Sequence, residues 1–229
     1  LVPAEPGDQV AGCGPAEAVA AATNLAALHG PRWADTTLWA HPEVDAVDAA
    51  GAGFLGDVFT GAVGTFVDRY RGELDDDAET ILRAMAGAVP AWILAEPECF
   101  AVLHGDHRLD NLLFDPDGGV WAVDWQTFTV GHPGRDLAYL IETSLEPDAR
   151  RAHERTVVEA YRTALADHGV DLGADDAFEA YRHGLLQGPL ITVLGAVYAT
   201  AERTERGDAM FLTMLRRSLA AIRDLRPLR

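Results

Sequence analysis

The stretch Leu103-His104-Gly105-Asp106-His107-Arg108-Leu109-Asp110-Asn111-Leu112-Leu113-Phe114, taken with Val123-Asp124-Trp125-Gln126, decides how this sequence is read. His104 stands two positions before Asp106, and Asn111 stands five after it. The chain has 22 Asp, 8 His and 2 Asn among 229 residues. Chance placement of that trio is therefore below roughly one per cent. Asp115-Pro116-Asp117-Gly118-Gly119 is turn chemistry between the apolar runs Leu112–Phe114 and 120–123, a pattern that predicts an antiparallel hairpin. Such a hairpin sets Asn111 at the entry of one strand and Asp124 at the exit of its partner. A hard cation takes this kind of oxygen pair, delivered by two backbone segments.

On both sides of this region the apolar spacing is helical. Pro15–His29 reads as a helix with Pro near its start and Gly30 just past its end. Residues 31–56 have no period of their own and are expected to be irregular or to hold one short helix. Val58, Val63, Phe66, Val67 and Tyr70 restore the helical spacing, and Asp76 with Glu79 reads as a capping box before Ile81, Leu82, Met85 and Val89. Further helices are predicted over 136–143, 148–168, 175–202 with a bend at Gly188-Pro189, and 208–223. No internal repeat is present. The expectation is a mostly helical fold with one small β region in its middle.

The runs LHGDHRLDNLLFD, VDWQ and GHPGRDLAYLI resemble the catalytic lobe of the aminoglycoside phosphotransferase and choline-kinase-like superfamily, small-molecule kinases that share the protein-kinase fold. The resemblance implies an α+β, mostly α, C-terminal lobe over residues 1–229. Residues 1–14 would be a post-hinge loop, and 99–126 the catalytic loop and metal-binding hairpin. It implies transfer of the γ-phosphate of ATP, or another nucleoside triphosphate, to a hydroxyl of a small molecule with Mg²⁺. Carried over by position, Asp106 is the catalytic base, Asn111 and Asp124 hold Mg²⁺ and thereby the nucleotide, His104 braces the loop, and Asp136 ties the loop to the following helix. His107 and Arg108 lie inside the loop, where contact with acceptor or phosphate stands beside a packing role.

Such kinases also have a preceding β lobe with a strand Lys, and all eighteen bases here are Arg. The N-terminal lobe is therefore expected to be absent from this chain. Gly51-Ala52-Gly53-Phe54-Leu55-Gly56 spells G-x-G-x-x-G, but no β-rich run precedes it and no Lys-bearing strand follows, so it reads as a flexible loop. Trp125-Gln126 replaces the Phe-Gly that follows the metal-binding Asp in protein kinases, which fits a small-molecule acceptor.

Composition bounds the rest. Nearly half of the residues are apolar, and 36 acids against 18 bases give a formal charge of −18. Such a field repels nucleic acid and anionic membrane surfaces. No unbroken apolar run approaches membrane-spanning length, and the expected location is the cytoplasm. Cys13 and Cys99 read as two packed thiols. Trp33, Trp39 and Trp92 read as core residues before pocket residues, Asp75-Asp76-Asp77 as a helix cap, and Arg150-Arg151 and Arg216-Arg217 as solvated helix faces. Two other functions stay open at this point. One is a kinase-like module that binds without turnover. The other is a metal-dependent phosphohydrolase built on His104, Asp106, His107 and Asp110.

Overall fold

The computed structural model describes residues 4–41, 44, 47–95, 98–199 and 203–228. Helix α4, Gly134–Ser144, is the centre of the molecule: ten of its eleven residues are buried, including Asp136, Glu142 and Thr143. α1 (Pro15–His29), α5 (Pro147–Ala166), α6 (Ala174–Gly184), α7 (Gln187–Leu194) and α8 (Glu205–Leu225) all pack against it. α4 and α6 meet through glycine. A Cβ on Gly134 would overlap the Ala180 carbonyl, and one on Gly184 would overlap the carbonyl of Gly134. The two backbones can approach this closely only without side chains at those positions.

α2 (Ala49–Tyr70) and α3 (Ala78–Ile93) form a hairpin beside this core. α2 corrects the reading of Gly51–Gly56 as a flexible loop. The Asp48 side chain accepts from Gly51 N at 2.8 Å and caps a helix that runs straight through all three glycines. Gly56 faces α3, where a Cβ would stand 2.7 Å from Pro90 Cγ. α2 is also the one helix among the described residues whose length and apolarity reach those of a membrane span. Phe59, Val63, Phe66, Val67 and Tyr70 bury one face of it in the core.

The capping box expected at Asp76 and Glu79 does not form. Asp77 is the N-cap of α3, without a side-chain cap, because Asp75 and Asp77 turn to Arg223 of α8 at 2.8 and 2.5 Å. The helix expected over 175–202 breaks at Leu185-Leu186, before Gly188-Pro189. Pro189 lies in the first turn of α7, where its missing N–H costs no helical bond. After α7 the chain continues as a π segment, Gly195–Ala199, and residue 202, the expected end, lies outside the described residues. Arg150 and Arg217 are buried rather than solvated. Arg150 pairs with Glu154 and Asp224; Arg217 binds Glu146 at 2.7 Å and the carbonyls of Gln9, Val10 and Thr143. Arg151 and Arg216 remain on the surface.

The β structure is small and antiparallel. β3 (Leu112–Phe114) pairs with β4 (Val120–Ala122), Leu112 opposite Ala122. β1 (Glu5–Pro6) adds to the outer edge of β3, inside the segment read as loop; residues 1–3 of that segment lie outside the described residues. A second pair joins β2 (Ala101–Leu103) to β5 (Thr129–Gly131), a strand the sequence reading did not identify. Cys13 and Cys99 are unbridged, and burial raises the Cys13 thiol to about 12.

Candidate active site

β2 delivers residues 104–106 to the start of α4, where Asp136 meets their backbone. Gly105 has φ +83, and a Cβ there would run into the Thr127 carbonyl, so the bend that presents Asp106 needs glycine. Asp136, in the first turn of α4, holds this bend from below. Its Oδ2 accepts from His104 N at 2.6 Å and its Oδ1 from Gly105 N at 3.0 Å. His29 Nε2 lies 3.5 Å from the same carboxylate, with His29 Nδ1 on Tyr161 Oη at 2.7 Å. Burial alone would raise the Asp136 pKa. The hydrogen bond and charge of His29, with His107 and the His104 amide, outweigh it and hold the carboxyl below its ordinary range. Gln187 completes the support, donating from Nε2 to Gly105 O at 3.1 Å while its Oε1 accepts from Arg135 Nε at 3.0 Å.

His104 is buried between loop and hairpin. Nε2–H donates to Val123 O at 3.0 Å, Nδ1 accepts from Asp106 N at 3.3 Å, and the ring lies against Trp125. His107 is fully buried, with its ring edge-on to His104. Burial lowers its pKa to about 4, so it is neutral at pH 7. This corrects the option that His107 touches acceptor or phosphate: its ring is packed beneath the loop.

Asp106 is held by three side chains. Oδ1 accepts from Tyr139 Oη at 2.9 Å and Arg108 Nε at 3.1 Å, and Oδ2 accepts from Asn111 Nδ2 at 2.8 Å. Asn111 Nδ2 also donates to Asp106 O at 2.8 Å, which leaves the amide Oδ1 as the atom able to take a cation. Asp124, two residues past β4, lies in the left-handed region, φ 64 and ψ 67, with its side chain exposed. A non-glycine residue there is uncommon, Asp being among the more tolerant types, and such backbone strain gathers at functional positions. The Asn111 amide oxygen and the Asp124 carboxylate are both hard oxygen donors, the set suited to Mg²⁺ rather than to a soft metal.

Arg108 extends the network outward. It reaches Asp110 at 3.1 Å, and Asp110 in turn binds Arg206 at 3.1 Å and Gln9 N at 2.8 Å. Among the described residues no three His, Cys, Asp or Glu side chains converge as ligands. Of the four residues of the phosphohydrolase reading, Asp110 is ion-paired with Arg108 and Arg206, His104 bonds Val123 O, His107 is buried, and Asp106 is held by Tyr139, Arg108 and Asn111. Gln9 also accepts from Leu109 N at 2.8 Å and donates to Thr143 O at 2.7 Å, pinning the loop to α4. Tyr139, Gln187 and Gln9 were not identified from the sequence. The helical period of α4 puts Tyr139 near Asp136, whereas nothing local marks the two glutamines.

Beside Asp106 opens a cavity of about 360 Å³. Asp106, Arg108 and Tyr139 form its polar corner, and Ile191, Leu194, Met210, Phe211 and Met214 of α7 and α8 make most of its wall. The tryptophans lie elsewhere: Trp92 donates to His183 O at 2.7 Å, and Trp39 rests on Phe100.

Among solved structures, an aminoglycoside phosphotransferase from Alicyclobacillus acidocaldarius aligns with 99% of this chain and 69% of its own, at 19% identity and TM-score 0.47. A macrolide 2'-phosphotransferase from Brachybacterium faecium aligns with 93% of this chain and 67% of its own, at 21% identity and TM-score 0.45. Acyl-CoA dehydrogenase family member 11 of Gallus gallus is 37% identical over 79 residues, 32% of this chain and 10% of that protein. Family member 10 of Mus musculus is 33% identical over 102 residues, 42% of this chain and 9% of that protein. The chain thus spans about a tenth of the length of these curated relatives. Residues 53–174, more than half of the chain, match the ecdysteroid kinase-like family, and the chain belongs to that family.

Proposed function

We propose that this chain is the catalytic lobe of a kinase that moves the γ-phosphate of a nucleoside triphosphate, with Mg²⁺, onto a hydroxyl of a small molecule with an apolar body. The observation that carries it is Asp106, bonded to Asn111 and lining a mostly apolar cavity, with the strained Asp124 just past β4 of the adjoining hairpin. Asn111 Oδ1 and the Asp124 carboxylate would hold Mg²⁺, which when bound neutralises phosphate charge. Tyr139, Arg108 and Asn111 fix the orientation of the Asp106 carboxylate, so that an acceptor hydroxyl in the cavity can give it a proton. Positioning of this kind supplies much of the catalysis in phosphoryl transfer. The cavity wall selects the acceptor. Ile191, Leu194, Met210, Phe211 and Met214 offer no partner for ammonium groups, and among the described residues Asp106 is the one carboxylate lining it. A polycation would find one carboxylate for its several charges there.

The test is phosphate transfer from MgATP by the complete two-lobed protein, measured with a radiolabelled γ-phosphate, to an ecdysteroid and to kanamycin. Transfer to the steroid polyol and not to the aminoglycoside is expected. Asp106→Asn keeps shape but cannot take the proton, and turnover should fall by roughly 10² to 10⁴ with nucleotide binding little changed. Asp124→Ala should lose both. Near-normal turnover in Asp106→Asn, or preference for kanamycin, overturns the reading.

A further inference from the structure

A second cavity, of about 250 Å³, opens beside β5 and the start of α4. Trp39, Ile93, Phe100 and Val130 make much of its wall, and among the described residues Arg135 is the one arginine that lines it. Desolvation makes this an expensive place for a guanidinium, and burial lowers the Arg135 pKa. Three other arginines drawn into the protein meet carboxylates: half-buried Arg108 with Asp106 and Asp110, and buried Arg150 with Glu154 and Arg217 with Glu146. Among the described residues no carboxylate lies within ion-pair distance of Arg135, in a chain with twice as many acids as bases.

What Arg135 does contact defines the remaining capacity of its fork. Nε–H is committed to Gln187, the guanidinium carbon lies 5.3 Å from the centre of the Trp92 ring, and Nη1 passes so close to Gly131 that a Cβ there would stand 3.1 Å from it. Asp136, next in sequence, has both oxygens on the amides of His104 and Gly105. The two Nη groups are the part of this guanidinium that a planar anion can bind side by side.

We infer that this cavity is a binding site for an organic anion, a carboxylate seated on Nη1 and Nη2 of Arg135 with its apolar chain against Trp39, Phe100 and Val130. It is separate from the acceptor cavity at Asp106, and the inference does not depend on the phosphotransferase reading. The net charge of −18 opposes any anion at long range. At physiological salt, however, the screening length is about 8 Å, so a desolvated contact with Arg135 outweighs distant surface acids. The same field favours a monoanion over a polyphosphate. The site also touches the catalytic loop through one residue, since Gln187 bonds Arg135 with one end of its amide and Gly105 O with the other.

Octanoate is the probe, titrated calorimetrically into the protein with octan-1-ol as its uncharged counterpart. Octanoate should bind with a Kd below about 1 mM, and the alcohol at least tenfold more weakly. Arg135→Gln should weaken octanoate at least tenfold. Leu94→Glu, at an exposed position of the cavity rim, places a carboxylate beside the anion without disturbing a buried group, and should do the same. It decides the matter if Arg135→Gln does not fold. Arg108→Gln, in the other cavity, should leave octanoate affinity within about twofold. Absence of octanoate binding, equal affinity for octan-1-ol, full affinity in Leu94→Glu, or loss of binding in Arg108→Gln would each overturn the proposal.

Discussion

Gly51-Ala52-Gly53-Phe54-Leu55-Gly56 carries the spelling of a phosphate-binding turn and the geometry of a helix, and alanine distinguishes the two. At Gly53 an added Cβ meets nothing within 4 Å, and the same holds at Gly61 and Gly64 further along α2. Glycine in an exposed helix interior costs about 1 kcal/mol relative to alanine. In a protein of this size that corresponds to about 2–4 °C in Tm. Gly53→Ala should therefore raise Tm by about 2–4 °C, and the triple variant at 53, 61 and 64 by about 6–12 °C, because the three sites share no partner. Gly56 is the internal control. Its Cβ would stand 2.7 Å from Pro90 Cγ, part of a ring that cannot rotate away. Overpacking costs about 1–3 kcal/mol, which exceeds or cancels the gain in helix propensity, so Gly56→Ala should leave Tm unchanged or lower it by up to ~8 °C. Thermal melts followed by circular dichroism at 222 nm read all four variants. A lowered Tm in Gly53→Ala, or equal stabilisation by Gly53→Ala and Gly56→Ala, would show that these residues do not form the packed helix described.

Arg217→Met leaves three backbone carbonyls without their donor while Glu146 keeps Arg216, and should cost about 1–3 kcal/mol in urea unfolding, against less than about 0.5 kcal/mol for Arg216→Met on the surface. His107 and His132 have folded-state pKa values lowered from 6.5 to about 4 and about 3, so the unfolded chain takes up protons first as pH falls. Stability is then complete above pH 6.5 and lost from there down to about 4, by on the order of 3 kcal/mol for His107. His107→Gln should flatten the dependence of the urea midpoint on pH in that window, and an unchanged slope would count against the burial assigned to this ring. Tyr139→Phe removes one donor from Asp106 and, on the proposed function, should lower kcat by about tenfold with nucleotide affinity unchanged; equal losses in both would mean that Tyr139 serves the fold alone.

The hairpin was legible because its signals are local. Turn residues 115–119 and two apolar runs specify a pairing that needs no information from elsewhere, and β3 and β4 form where those runs lie. The long amphipathic helices were legible for the same reason, with ends displaced by a few residues. The reading failed where a distant partner outweighed a local preference. Asp75 and Asp77 look like a helix cap until Arg223, almost 150 positions away, binds both. Arg150 and Arg217 look like surface charge until the acids that satisfy them are placed. The glycines of α2 look like a loop because propensity counts each of them against a helix, while the packing of Phe59, Phe66 and Tyr70 favours one.

The candidate site shows the same division, and its physical reason is the loop's need for hydrogen-bond partners. A loop that bends at Gly105 and turns again at residues 109–111 cannot satisfy its own amides and carbonyls, and burial removes water as the alternative. The partners therefore come from the folded protein: Asp136 for the amides of 104 and 105, Gln187 for the carbonyl of 105, and Gln9 for the amide of 109. Each lies on a different element, so the loop reaches this shape only when the N-terminal segment, α4 and α7 have docked. The motif names the residues that face the ligand, and the residues that aim them are spread along the chain wherever the fold brings a donor or acceptor into reach. The geometry of Asp106 is thus coupled to the stability of the whole helical core. Substitutions at Gln9 or Gln187 should disturb the loop without touching any ligand.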